Sequence, residues 1–111
     1  MAFQNITGLQ LGQAAITTGF TTLYTTPATT RTYVKDINIC NTTATSLTVS
    51  VCLVPSGGTA GVGNALFYEW LLYPRDLYRW QGVQIMNEGD TIQVKASTSG
   101  ATITVSGGEA V

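Results

Sequence analysis

Chemistry needs a nucleophile, a base or a set of metal ligands within reach of one another, and this sequence is poor in all three. It contains no histidine, which removes the commonest general base and the commonest imidazole ligand. Its two cysteines, Cys40 and Cys52, do not form a Cys-x-x-Cys pair, so the spacing of a zinc site is missing. The six carboxylates, Asp36, Glu69, Asp76, Glu88, Asp90 and Glu109, show no sequence-local pairing of the kind glycosidases use. Asn87-Glu88-Gly89-Asp90 has the composition of a calcium loop but not its regularly spaced oxygen ligands, and reads as a tight turn between strands. Gly57-Gly58 and Gly107-Gly108 precede no helix that would receive an anion, so neither is a phosphate loop. The expectation is a protein that is not an enzyme and carries no cofactor and no metal.

The one concentrated feature is the run from Phe67 to Trp80. It holds six of the ten aromatic residues and two of the three arginines. On regular strands Tyr68, Trp70 and Leu72 face one way and Phe67, Leu71 and Tyr73 the other. One parity fills a core, and the other presents aromatics outward. Tyr, Trp and Arg are enriched in protein–protein hot spots, so the candidate interface is Tyr68, Trp70, Tyr73, Arg75, Tyr78, Arg79 and Trp80. Two other readings stand beside it: core plus edge cover, and aromatic rings that stack on sugars.

The elements that position these residues follow from period-two alternation bounded by turns. Strands are predicted over 10–17, 19–26, 32–41, 46–55, 65–73, 77–85, 91–97 and 101–106. A bulge is expected near Lys35, where Val34 falls out of phase with Ile37 and Ile39, and a break at Gly82. Pro27-Ala28, Pro55-Ser56-Gly57-Gly58, Pro74-Arg75-Asp76 and Ser99-Gly100 supply turn chemistry between them. No window has a helical period, so no crossover helix is available and pairing is antiparallel. The predicted fold is all-β, an antiparallel two-sheet β-sandwich, jelly-roll-like, of about eight strands. Residues 1–8 are expected to form an N-terminal arm and 9–111 a single domain. A hairpin of 35–41 with 47–53 that aligns Ile39 with Val49 displaces Cys52 from Cys40 by about 13 Å along the strands. A disulfide tolerates at most roughly 7 Å between Cα atoms, so both cysteines are expected as free thiols.

Composition narrows the partners. Of 111 residues, 44% are hydrophobic and only 10% charged, against roughly 25% charged in an ordinary soluble domain. Thr and Ser occupy the polar positions, and a surface hydrated by hydroxyls repels its neighbours weakly. The basic residues Arg31, Lys35, Arg75, Arg79 and Lys95 are scattered, with no stripe to displace counterions from phosphates, so nucleic acid is not an expected partner. No apolar stretch is long enough to span a bilayer, and neither an amphipathic anchor nor a signal peptide is visible at residues 1–8. Synthesis in a cytoplasm is expected.

Four segments occur in a fixed order: Leu23-Tyr24-Thr25-Thr26-Pro27-Ala28, then Ile37-Asn38-Ile39-Cys40-Asn41, Leu53-Val54-Pro55-Ser56-Gly57-Gly58 and Gly89-Asp90-Thr91-Ile92. Together they resemble a family of small tailed-bacteriophage virion structural proteins that read LYT-x-PA, I-x-ICN, LVPSGG and GDTI, over about residues 11–105. The resemblance implies a β-sandwich virion component, assembled in the host cytoplasm, with no catalytic residues. Members decorate capsids or belong to head fibres or tails. The expectation is a capsid decoration (cement) protein that clamps adjacent capsomers as a homotrimer. Its partners would be itself and the major capsid protein or another virion protein, with Phe3 and Ile6 as a capsid tether. The alternative is a carbohydrate- or receptor-binding module of a fibre or tail.

Overall fold

Alternation of β-branched with polar residues produces eight strands in the computed structural model, which describes residues 6–111. They are β1 (Ile6–Ala15), β2 (Thr21–Thr25), β3 (Arg31–Asn41), β4 (Leu47–Val54), β5 (Ala65–Leu72), β6 (Leu77–Met86), β7 (Thr91–Ala96) and β8 (Ala101–Ala110). A single 3₁₀ turn, Val62–Asn64, lies between β4 and β5. The first sheet has the order β1-β8-β3-β6 and the second β2-β7-β4-β5, antiparallel throughout. This is a two-sheet sandwich with the strand order of a jelly roll.

One parity of each central strand makes the core. Val34, Ile37 and Ile39 of β3 and Ile103 and Val105 of β8 meet Val49 and Val51 of β4 and Ile92 and Val94 of β7, all essentially inaccessible to water. Each such side chain contributes roughly 1.5–3 kcal/mol relative to exposure. Tyr24 of β2 crosses the core margin. Its hydroxyl donates to the Glu109 carboxylate and lies 2.7 Å from Thr32 Oγ1, tying the second sheet to the first. Burial, then the bond to Glu109, pushes the Tyr24 phenol up to about 12.

Every edge strand is irregular. Leu11 in β1 and Leu23 in β2 are extra residues relative to their partners. In β5 both Tyr68 and Glu69 face Ser50, and in β6 both Gly82 and Val83 face Lys35. The bulge expected at Lys35 is present in β3, and Gly82 marks a bulge within one continuous β6, not a break.

Three expectations are corrected. Strands β3 and β4 lie in different sheets and form no hairpin; alternation specifies which residues share a face, not which strands pair. The cysteines are free nonetheless, because the sheets separate them. Ile6, Thr7 and Gly8, the described part of the stretch read as an arm, are strand residues of β1. Finally, β8 continues through Gly107-Gly108 to Ala110. There the β3 backbone comes so close that a Cβ at Gly107 would collide with the Tyr33 carbonyl oxygen.

The loops at each end are stitched by one buried or half-buried polar side chain. At one end the Asp90 carboxylate accepts from Ser56 N (3.0 Å) and Asn87 N (2.9 Å), and Thr26 N donates to the Asp90 carbonyl. At the other, fully buried Asn41 donates through Nδ2 to the carbonyls of Thr45 (2.8 Å) and Tyr73 (3.0 Å). Its Oδ1 accepts from Thr43 N and Oγ1.

Candidate interaction surface

The aromatic run folds differently from the hairpin that its sequence suggests. Strand β5 is an edge of the second sheet and β6 an edge of the first, so the turn between them carries the chain from one layer to the other. That turn is held by Asp76 N donating to Tyr73 O, Arg75 N to Thr43 O and Leu77 N to Asp76 Oδ1. Arg75 takes a positive φ of 59°.

Because β5 and β6 are edges on the same side of the sandwich, their inward rings close its open margin. Tyr78 stands between two of them: its centroid is 5.3 Å from Phe67 in an edge-to-face arrangement and 4.7 Å from Trp70. The bulge at Tyr68 and Glu69 makes this possible by adding one residue between Phe67 and Trp70, both of which pair with inward-facing residues of β4. The expected opposition of Phe67 and Trp70 is therefore corrected. Glu69 accepts a left-handed φ of 50° to make the bulge, and its N–H donates to Ser50 Oγ at 2.8 Å.

The seven candidate residues divide. Trp80 and Tyr78 are half-buried against the core, the Trp80 ring lying over Gly82. Trp70 is 45% exposed and Tyr73 62%, with Tyr68 and Arg75 exposed beside them. Arg79 leaves the rim altogether. It points from the outer face of the first sheet to Asp36, 2.7 Å from Nη2 to Oδ2, and that carboxylate holds the guanidinium above its ordinary pKa. Of the seven, the structure brings Trp70 onto Tyr78 and sets Trp80 two residues farther along the inner side of β6, while Tyr68 and Tyr73 are exposed without a ring contact among the described residues and Arg79 is turned away to Asp36. Phe67 belongs to the rim and was not among the candidates; only the bulge, invisible to alternation, turns it inward beside Trp70. Ile6 opens β1 and is 65% exposed, whereas Phe3 lies outside the described residues.

The outer face of the second sheet next to the rim is polar. Thr48, Ser50, Glu69, Lys95 and Ser97 line a shallow cleft there, and the Lys95 ammonium sits 5.3 Å from the centre of the Phe20 ring. Farther along the same face, residues 55–64 fold back over outward-pointing Cys52 and Val54. Asn64 pins that loop by accepting from Gly61 N and donating to Thr59 O. The Cys52 thiol donates to Gly61 O at 3.5 Å, and burial pushes its pKa up. Among the described residues no group of three or more cysteine or carboxylate side chains could hold a metal ion, and no helix is long and apolar enough to cross a membrane.

No family model matches this chain, and no curated protein matches it in sequence. Among solved structures it is similar to a chain in the structure of infectious bursal disease virus, Gx strain, with a TM-score of 0.48 and 11% identity over 92% of its length. A chain of the Gt strain structure gives 0.43 and 12% over 96%. This protein spans only about a third of those chains, 32% and 30% of their lengths.

Proposed function

We propose that this chain is a non-enzymatic structural protein of a bacteriophage virion. In this reading it is a capsid decoration protein that clamps adjacent capsomers as a homotrimer. The observation that carries the proposal is the aromatic rim: Trp70, 45% exposed, packs on half-buried Tyr78, which also meets Phe67, at the margin shared by both sheets, and Tyr68 and Tyr73 are exposed on the same stretch of chain. Rings held by packing lose little entropy on binding, and Tyr and Trp dominate interface energetics. Scarcity of charge (10% of residues) supports close contact between copies. Closed symmetry is the usual outcome for identical chains. A copy that binds the assembled shell and not its separate parts stabilises it by mass action. Exposed Ile6 supports a tether role at the start of β1. Jelly rolls serve capsid and lectin domains alike, so the fold leaves the choice to the site.

A second reading, a glycan-binding module, is favoured by one specific observation. Glu69 and the hydroxyls of Thr48, Ser50 and Ser97 line the polar cleft, and exposed Trp70 follows Glu69 directly in the chain.

Light scattering on the wild type, Trp70→Ala and Trp80→Ala tests both. The clamp expects a trimer that Trp70→Ala weakens by about 2 kcal/mol, while Trp80→Ala lowers stability. A wild type that stays monomeric at high concentration overturns the trimer. Binding to a glycan array that is lost in both Trp70→Ala and Glu69→Gln replaces the clamp with the lectin.

A further inference from the structure

The outer face of the first sheet carries a feature that the aromatic rim does not use. Gly8, Gly108, Tyr33 and Ile85 form one register row across β1, β8, β3 and β6, so all four face outward. The two glycines leave β1 and β8 bare there. The result is a half-open groove of about 470 Å³, lined by Ile6, Gly8, Tyr33, Lys35, Val83 and Gly108. That volume lies within the range of sites that take small ligands and side chains. Its walls are mostly apolar, and their one charged group is Lys35, whose exposed ammonium makes no hydrogen bond or ion pair with any described residue.

Lys35 stands at this groove because of a bulge in a central strand. The β8–β3 and β3–β6 ladders both shift register between Val34 and Asp36. Lys35 is an extra residue relative to β8, and on its other side β6 carries the extra residue, with Gly82 and Val83 opposite Lys35; such bulges re-aim side chains and are over-represented next to active sites. The adjacent acid is already engaged, since Asp36 holds Arg79.

We infer that this groove docks an extended segment of a partner protein, with a large apolar side chain over the glycine floor and a carboxylate against Lys35. Charge selects the occupant. A second copy presenting the same face brings another Lys35, and the Asp36 on that face is paired. An acidic and apolar segment supplies both what the walls and what the ammonium lack, and a charge-assisted bond is strongest where apolar walls exclude water. No residue of the aromatic rim takes part; Ile6 is shared with the tether of the virion reading, and the inference does not depend on that role.

The test titrates the isotope-labelled full chain with two short blocked peptides, one alternating leucine with aspartate and the other leucine with lysine. The aspartate peptide is expected to shift the amides of Gly8, Tyr33, Lys35, Val83 and Gly108 saturably, binding about tenfold tighter than its lysine counterpart. Lys35→Glu should reverse that preference. Gly8→Leu should fill the groove and remove binding of both peptides. It should fold normally, because a Cβ at Gly8 meets nothing nearer than the Gly107 carbonyl oxygen at 3.8 Å. The inference is overturned if no saturable shift appears at millimolar peptide, if the two peptides bind alike, or if Gly8→Leu binds as the wild type does. Sedimentation showing that Gly8→Leu dissolves a wild-type dimer also overturns it, by assigning the groove to a second copy.

Discussion

Two sheet faces look outward from this sandwich, and the chain treats them differently. On the second sheet, residues 55–64 fold over Cys52 and Val54, leaving both essentially inaccessible although they point away from the core. On the first sheet, Ile6, Leu77, Val83 and Ile85 all remain more than half exposed. Both faces come from the same alternation of residues. What separates them is a loop: residues 55–64 cover Cys52 and Val54 on one face, and among the described residues no such segment covers the four apolar side chains on the other.

The contrast is broken most directly by placing a charge on each face. Val54→Asp buries a carboxylate with no partner and should cost about 3–5 kcal/mol in urea unfolding. Val83→Asp should stay within about 0.5 kcal/mol; equal losses would mean that the faces do not differ.

The cysteines sharpen the comparison kinetically, since each reports one face. Cys40 pairs with outward residues of β6 and β8, whereas Cys52 lies under the loop. At pH 8 a disulfide reagent should modify Cys40 first and Cys52 slower by on the order of a hundredfold, the rate of Cys52 set by loop opening. Asn64→Ala, which unpins Gly61 and Thr59, should accelerate Cys52 alone. Similar rates in the wild type would show that the loop does not protect.

A third measurement addresses the tie between the sheets. The folded-state pKa of Tyr24, about 12, lies above its ordinary value of 10.0. Its contribution to stability is therefore complete below pH 10 and lost as pH rises from 10 through 12. Allowing for screening of a partly exposed group, the loss should be about 1 kcal/mol. Tyr24→Phe should be flat across that window, and a wild type that is equally flat would refute the raised pKa. The smallest effect belongs to the exposed Asp36–Arg79 pair. Asp36→Asn should leave the urea midpoint almost unchanged at high salt, and a large drop would make that pair part of the fold rather than of its surface.

Much of the architecture was legible. Eight alternating segments became eight strands because a strand that buries one face must alternate. What alternation could not convey is any step that breaks it. The bulge at Tyr68 and Glu69 puts Phe67 and Trp70 on one side, and nothing in that local sequence announces it, since Glu69 takes a conformation usually left to glycine or asparagine. Gly107-Gly108 has no side chains with which to reveal a face, so the end of β8 went unread and the groove with it. The resemblance motifs turned out to be fold grammar: Asn41, Ser56 and Asp90 hold loops, and none lies on the rim.

The irregularity of β1, β2, β5 and β6 has a consequence for crowding. A neighbouring strand that tried to zip onto any of these borders would find donors and acceptors out of step after a few residues, the protection by which natural sheets avoid edge-to-edge growth. Packed at high density, copies of this chain can touch through side chains without polymerising into cross-β fibres.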